Sequence, residues 1–130
     1  MFKGLAIPER KTTEFYSVVS DGVRTMAWGF LAIAAIFEVI FALSMKYADG
    51  FTRLGPTLVT VVAVIGGIGF LTLALKTLPV GVAYPIWTAV GTLGTVLFGI
   101  VLLGEAMTAV KIVSALAIVA GVAGLKLASA

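Results

Sequence analysis

The amino-acid sequence predicts an all-α integral membrane protein with four transmembrane helices per chain. Of its 130 residues, 61% are hydrophobic and 12% charged, whereas soluble domains run near one quarter charged. The mean hydropathy is +1.18. The apolar residues gather into four runs of about 20, each long enough to cross a hydrocarbon core of about 30 Å. No run shows the apolar/polar alternation of a membrane β-strand, which excludes a barrel.

Residues 1–25 stand apart. They carry Lys3, Glu9, Arg10, Lys11, Glu14, Asp21 and Arg24 without an apolar run long enough for a signal-peptide core. The segment is expected to be a polar extension, disordered or lying on a surface, or a mis-assigned start upstream of Met26. Residues 26–130 form the membrane domain. Its first span covers about 27–45 and is closed by Lys46, Asp49, Gly50 and Arg53. The second covers about 54–75; Pro56 sits in its first turn, where a missing N–H costs nothing, and Lys76 and Pro79 end it. The third covers about 82–103 and stops at Gly104-Glu105, with Pro85 expected to help define its start. The fourth covers about 107–127 and ends near Lys126.

Composition narrows the function. The chain has no Cys and no His, which removes disulfides, thiolate metal sites and the commonest metal ligand and proton shuttle. Its net charge of +3 reads as loop lysines and arginines that set topology, not as a nucleic-acid surface. No Asp, His or Cys lies in the spans to pair with a membrane carboxylate as a catalytic unit, so the chain is not expected to be an enzyme.

One residue breaks the apolar pattern of the first span. An ionisable group at mid-membrane costs roughly 2.5–3.5 kcal/mol on insertion scales, and Glu38 stands there with no other mid-span charge to pair with. Its helical neighbours Ala34, Ala35 and Ala42 are small, so other helices can approach the carboxyl group. Low dielectric penalises the charged form, which suits Glu38 to exchanging a proton. The alternative is a structural glutamate hydrogen-bonded to a neighbouring helix. In the third span Tyr84 and Trp87 share a face with Gly91. Aromatic faces attract cations by roughly 0.5–2 kcal/mol, so a carboxylate with these rings nearby makes a site for a hydrophobic or delocalised cation. An interfacial aromatic belt is the other reading, and fits Tyr84 better than Trp87. Gly91 and Gly94 allow close packing or a bend. In the fourth span Ala117/Gly121 and Ala120/Gly124 have the small-xxx-small spacing of a membrane dimer face.

Size and charge bias both point to a partner. Transporters commonly alternate access by rocking two halves about a midplane site, and four spans without an internal repeat supply one half. Counted from Met26, Lys76 and Lys126 face one side and Lys46, Arg53 and Lys111 the other, too weak a bias to fix orientation. The tail adds Lys3, Arg10, Lys11 and Arg24 to the first side, giving six against three and an N-in preference if it is present. Weak bias is what an inverted pair needs.

Glu38-Val39-Ile40, Met45-Lys46-Tyr47, Gly50-Phe51-Thr52-Arg53-Leu54 and Ala83-Tyr84-Pro85-Ile86-Trp87-Thr88 together resemble the small multidrug resistance family over about residues 26–130. Lys76-Thr77-Leu78-Pro79 and Gly124-Leu125-Lys126-Leu127 are similar to its guanidinium-exporter branch. The resemblance implies an antiparallel homodimer in the plasma (inner) membrane that exchanges protons for small or lipophilic organic cations. The paired Glu38 carboxylates would be the shared site, lined by Tyr84, Trp87 and Phe41. Protons are the coupling ion and no cofactor or metal is expected. The chain departs from the branch at Phe41, where Trp is usual, at Gly67, where Ser is usual, and at Pro85 and Ala89. Loss of the two hydrogen-bonding groups tilts the expected substrate toward quaternary ammonium compounds or a broad range. A non-transporting membrane subunit, or one half of a heterodimeric pair with a paralogue, stands as the alternative.

Overall fold

A computed structural model describes residues 9–128; the part of the N-terminal expectation that falls on residues 1–8 lies outside them. Four helices follow one another: α1 (Glu9–Ala48), α2 (Leu54–Leu75), α3 (Val80–Leu103) and α4 (Ala109–Ala128). All four are long and apolar enough to cross a membrane, and no strand occurs among the described residues.

The largest difference from expectation is at the N-terminus. Residues 9–25, expected as a disordered or surface-lying tail, are helical and continuous with the first span, giving one helix of 40 residues. At 1.5 Å per residue it is about 60 Å long, twice the hydrocarbon thickness. Propagation explains the extension. The costly helix nucleus is already supplied by the apolar span, and no proline interrupts residues 9–48. Thr13 and Thr25 donate to the carbonyls of Glu9 and Asp21, one turn back. Packing contributes little here, since Phe15, Tyr16, Val18 and Val23 are exposed.

The connections are short and locally determined. After α1 three successive residues, Asp49, Gly50 and Phe51, have positive φ, and the amides of Thr52 and Arg53 both return to the Ala48 carbonyl. Pro79 precedes α3 in extended geometry, so the helix begins at Val80 and Pro85 lies inside it. Pro85 therefore does not mark the start; it leaves the Gly81 carbonyl without its helical donor. Gly104 closes α3 in the left-handed region, φ 67°. The fourth helix begins at Ala109, two residues later than expected, because the Thr108 hydroxyl accepts from the Lys111 amide as an N-cap.

Helix α1 is central. It packs against α2 and α3, α2 also touches α3, and α4 packs mainly against α3. The buried core contains Ala27, Leu31, Ala34, Ala35, Leu71, Ala74, Leu78, Ala83, Ile86 and Trp87. Five of these ten are alanines. In lipid, apolar area gives no drive for helix association, so small residues that let backbones approach supply the cohesion instead. Helix α4 buries no residue; the Lys126 ammonium, 5.4 Å from the Trp28 ring centroid, ties its end to α1.

Candidate functional site

The residues flanking Glu38 divide between two partner helices. Toward α2, the Phe37 ring lies over Gly66, where an added Cβ would stand 3.0 Å from ring atoms, and the Phe37 Cβ faces Gly67, where an added Cβ would stand 3.3 Å away. Phe37 also stacks on Phe70, with centroids 5.8 Å apart. Farther along, the Thr60 hydroxyl donates to Ser44 Oγ at 2.8 Å, and Ser44 bonds the Ile40 carbonyl at 2.8 Å. This hydroxyl pair was not anticipated from sequence. The available signal was a Ser at helical spacing from Phe37 and Phe41 in an otherwise apolar span.

Toward α3, Glu38 meets Gly91. A Cβ on Gly91 would fall inside the Glu38 carboxyl group, contacting Oε2, Cδ and Cγ, so only glycine leaves room for this arrangement. One turn on, a Cβ on Gly94 would stand 2.7 Å from Val39 Cγ2. The two glycines thus allow the close approach of α1 and α3. Glu38 Oε2 is buried with no hydrogen-bond partner among the described residues, and so is Trp87 Nε1. Trp87 lies one turn before Gly91 on α3 and is buried, whereas Tyr84 is exposed at the rim with its ring edge-on to Trp87 at 5.2 Å.

The sequence-derived residues therefore assort unevenly. Glu38 and Gly91 are brought together, and Tyr84 and Trp87 form one aromatic pair. Phe41 is turned toward α2, with Cε1 3.8 Å from the position of a Gly67 Cβ. Phe41 and Gly67, two of the four departures noted in the sequence, are thus neighbours. Gly67 is also the residue that fits against Phe37, since any Cβ there is crowded. Ala117, Ala120, Gly121 and Gly124 lie apart from this site, exposed on α4 with nothing within 4 Å of a Cβ on either glycine.

An acid whose buried oxygen has no donor is expensive in a low-dielectric medium. Such an oxygen can take a proton or the positive charge of a ligand, and a buried indole N–H beside the same helix seam offers a donor. Nothing else among the described residues offers comparable chemistry within the spans.

The family model described as Small Multidrug Resistance protein matches residues 26–126, which leaves out residues 9–25 of α1. A Guanidinium exporter from Yersinia pestis is 49% identical over 104 residues, 80% of this chain and all of that one. Proteins of the same name from Proteus vulgaris and Salmonella typhimurium are 45% and 46% identical over 104 residues, 80% of this chain and 100% and 99% of theirs. The resemblance read from the Glu38, GFTRL and Tyr84–Trp87 motifs is borne out.

Proposed function

Since the chain belongs to the Small Multidrug Resistance family, we propose that it is a multi-pass inner-membrane exporter of small organic cations, driven by inward proton flow, with Glu38 as the shared site. The observation that carries the reading is the buried, unpartnered Glu38 Oε2 seated on Gly91. The name shared by the relatives puts guanidinium-type cations first and quaternary ammonium compounds second.

Proton and cation compete for one carboxylate, so the substrate binds after the proton leaves and is displaced when it returns. The exposed small-residue face of α4 supports pairing with a second copy. Counted from Met26, the weak charge bias of the loops supports an inverted arrangement. Two Glu38 carboxylates would then titrate as a coupled pair. Exchange of two protons for one monovalent cation moves one net charge inward. That is worth about 2.3 kcal/mol per 100 mV and about 2.7 kcal/mol per pH unit.

Solid-supported-membrane electrophysiology on the purified protein tests this directly, comparing guanidinium with tetraethylammonium. Wild-type protein is expected to give substrate-dependent currents that respond to a pH gradient. Glu38→Gln should abolish them while elution and helicity stay unchanged. Absence of current with both cations from wild-type protein would overturn the reading.

A further inference from the structure

Beyond Glu38, the α1–α3 seam leads to a second carboxylate. From Gly91, Thr95 and Gly99 follow at four-residue intervals, and opposite them Ala42 and Lys46 follow Glu38 at the same interval. The two helices run in the same direction, so these rows stay side by side. Thr95 donates to the Gly91 carbonyl at 2.8 Å, which turns its oxygen along the seam. Beyond it Ala42, Leu43, Lys46, Thr95, Gly99 and Glu105 line a cleft of about 180 Å³. Its inner end, at Ala42 and Thr95, is one helical turn from Glu38 and Gly91, about 6 Å along the axis.

Glu105 is held at the mouth of this cleft by backbone geometry. Gly104 turns the chain through the left-handed region, and the Glu105 amide returns to the Gly99 carbonyl at 3.2 Å. The side chain folds over Gly99, where a Cβ would stand 2.6 Å from Oε2. The carboxylate therefore sits against the C-terminal end of α3, where the helix dipole disfavours negative charge. It makes no hydrogen bond or ion pair among the described residues. Lys46 lines the same cleft without pairing to it, and the Lys111 ammonium is engaged by the Ala106 carbonyl at 2.6 Å.

We propose that Glu105, positioned by Gly99 at the outer end of the α1–α3 cleft, is a peripheral binding site that captures small organic cations on their way to or from Glu38. Lys46, a cation lining the same cleft, opposes binding there by repelling the incoming substrate. The proposal rests on the exporter reading. A carboxylate at the mouth raises the local concentration of cations and speeds capture, and salt screens the effect.

Guanidinium currents from reconstituted wild-type, Glu105→Gln, Gly99→Ala and Lys46→Gln proteins, at low and high ionic strength, test it. Glu105→Gln is expected to raise KM about five- to tenfold at low ionic strength and less than about twofold at high, with turnover unchanged within about twofold. Gly99→Ala keeps the charge but displaces the carboxylate, and should raise KM at least about threefold; Lys46→Gln should lower it. A defect in Glu105→Gln with a silent Gly99→Ala would reduce the effect to general surface charge and overturn the positioned site. Unchanged KM in both variants, or lost turnover at constant KM, would overturn it while wild-type currents keep the exporter reading intact. Wild-type protein without guanidinium current would overturn both.

Discussion

Helix α1 presents one face to α2 and another to α3, and the two seams are built on opposite principles. The α2 seam is filled and satisfied: Phe37 packs its ring on Gly66 and its Cβ against Gly67, and the Ser44 and Thr60 hydroxyls bond each other and backbone carbonyls. The α3 seam contains the buried carboxylate oxygen and, one turn away, the buried indole N–H that lack partners. The difference teaches where function sits. The satisfied seam holds the helix pair together, and the unsatisfied one keeps polar groups available for a ligand.

The strongest test of that contrast is Gly91→Ala. Its Cβ would occupy the space of the Glu38 carboxyl group, and the flexible glutamate end is what gives way. The protein should fold and elute as wild type, while cation turnover falls on the order of 10²-fold, the scale of a misplaced reacting group. Equal currents from wild-type and variant protein would mean that carboxyl placement on Gly91 does not matter to transport.

A large effect of the other kind is expected from Phe37→Ala. Removing the ring from Gly66 and Phe70 leaves a void in the α2 seam. Loss of about 2 kcal/mol is expected, below the usual cost of a buried Phe because this ring is only half-buried and lipid can enter. Reversible unfolding in mixed micelles reads the stability, and substrate KM measured on the folded fraction should stay within about twofold. A shifted KM would show that the α2 face contributes to the site.

These two seams also explain how far the sequence could be read. Hydropathy gave the spans because the bilayer imposes their length. Glu38 was visible because a lone mid-span charge is costly, and Gly91 because it shares the Tyr84–Trp87 face. What escaped depends on which neighbour each residue meets. Glu38 and Phe41 are three apart and look like one face, but a central helix divides that face between two partners, and Phe41 turns to Gly67. The helical state of residues 9–25 escaped because helix propagation carries no hydropathy signal. The start of α4 depended on a single side-chain bond, from the Lys111 amide to Thr108. The Glu105 position required knowing that Gly99 leaves space for a carboxylate six residues on.

The smallest expected effect is the most direct measure of the satisfied seam. Ser44→Ala and Thr60→Val, alone and together, form a double-mutant cycle on the buried hydroxyl pair. Interhelical hydrogen bonds in membranes average about 0.6 kcal/mol in such cycles, since the unfolded chain in lipid also finds partners. Here each hydroxyl keeps a local acceptor after its partner is removed: Ser44 has the Ile40 and Phe41 carbonyls, and Thr60 has that of Pro56. The coupling should therefore not exceed about 0.6 kcal/mol, and neither single variant should alter cation currents by more than about twofold. A coupling several times larger would make the hydroxyl pair, and not Phe37 on its glycines, the principal bond between α1 and α2.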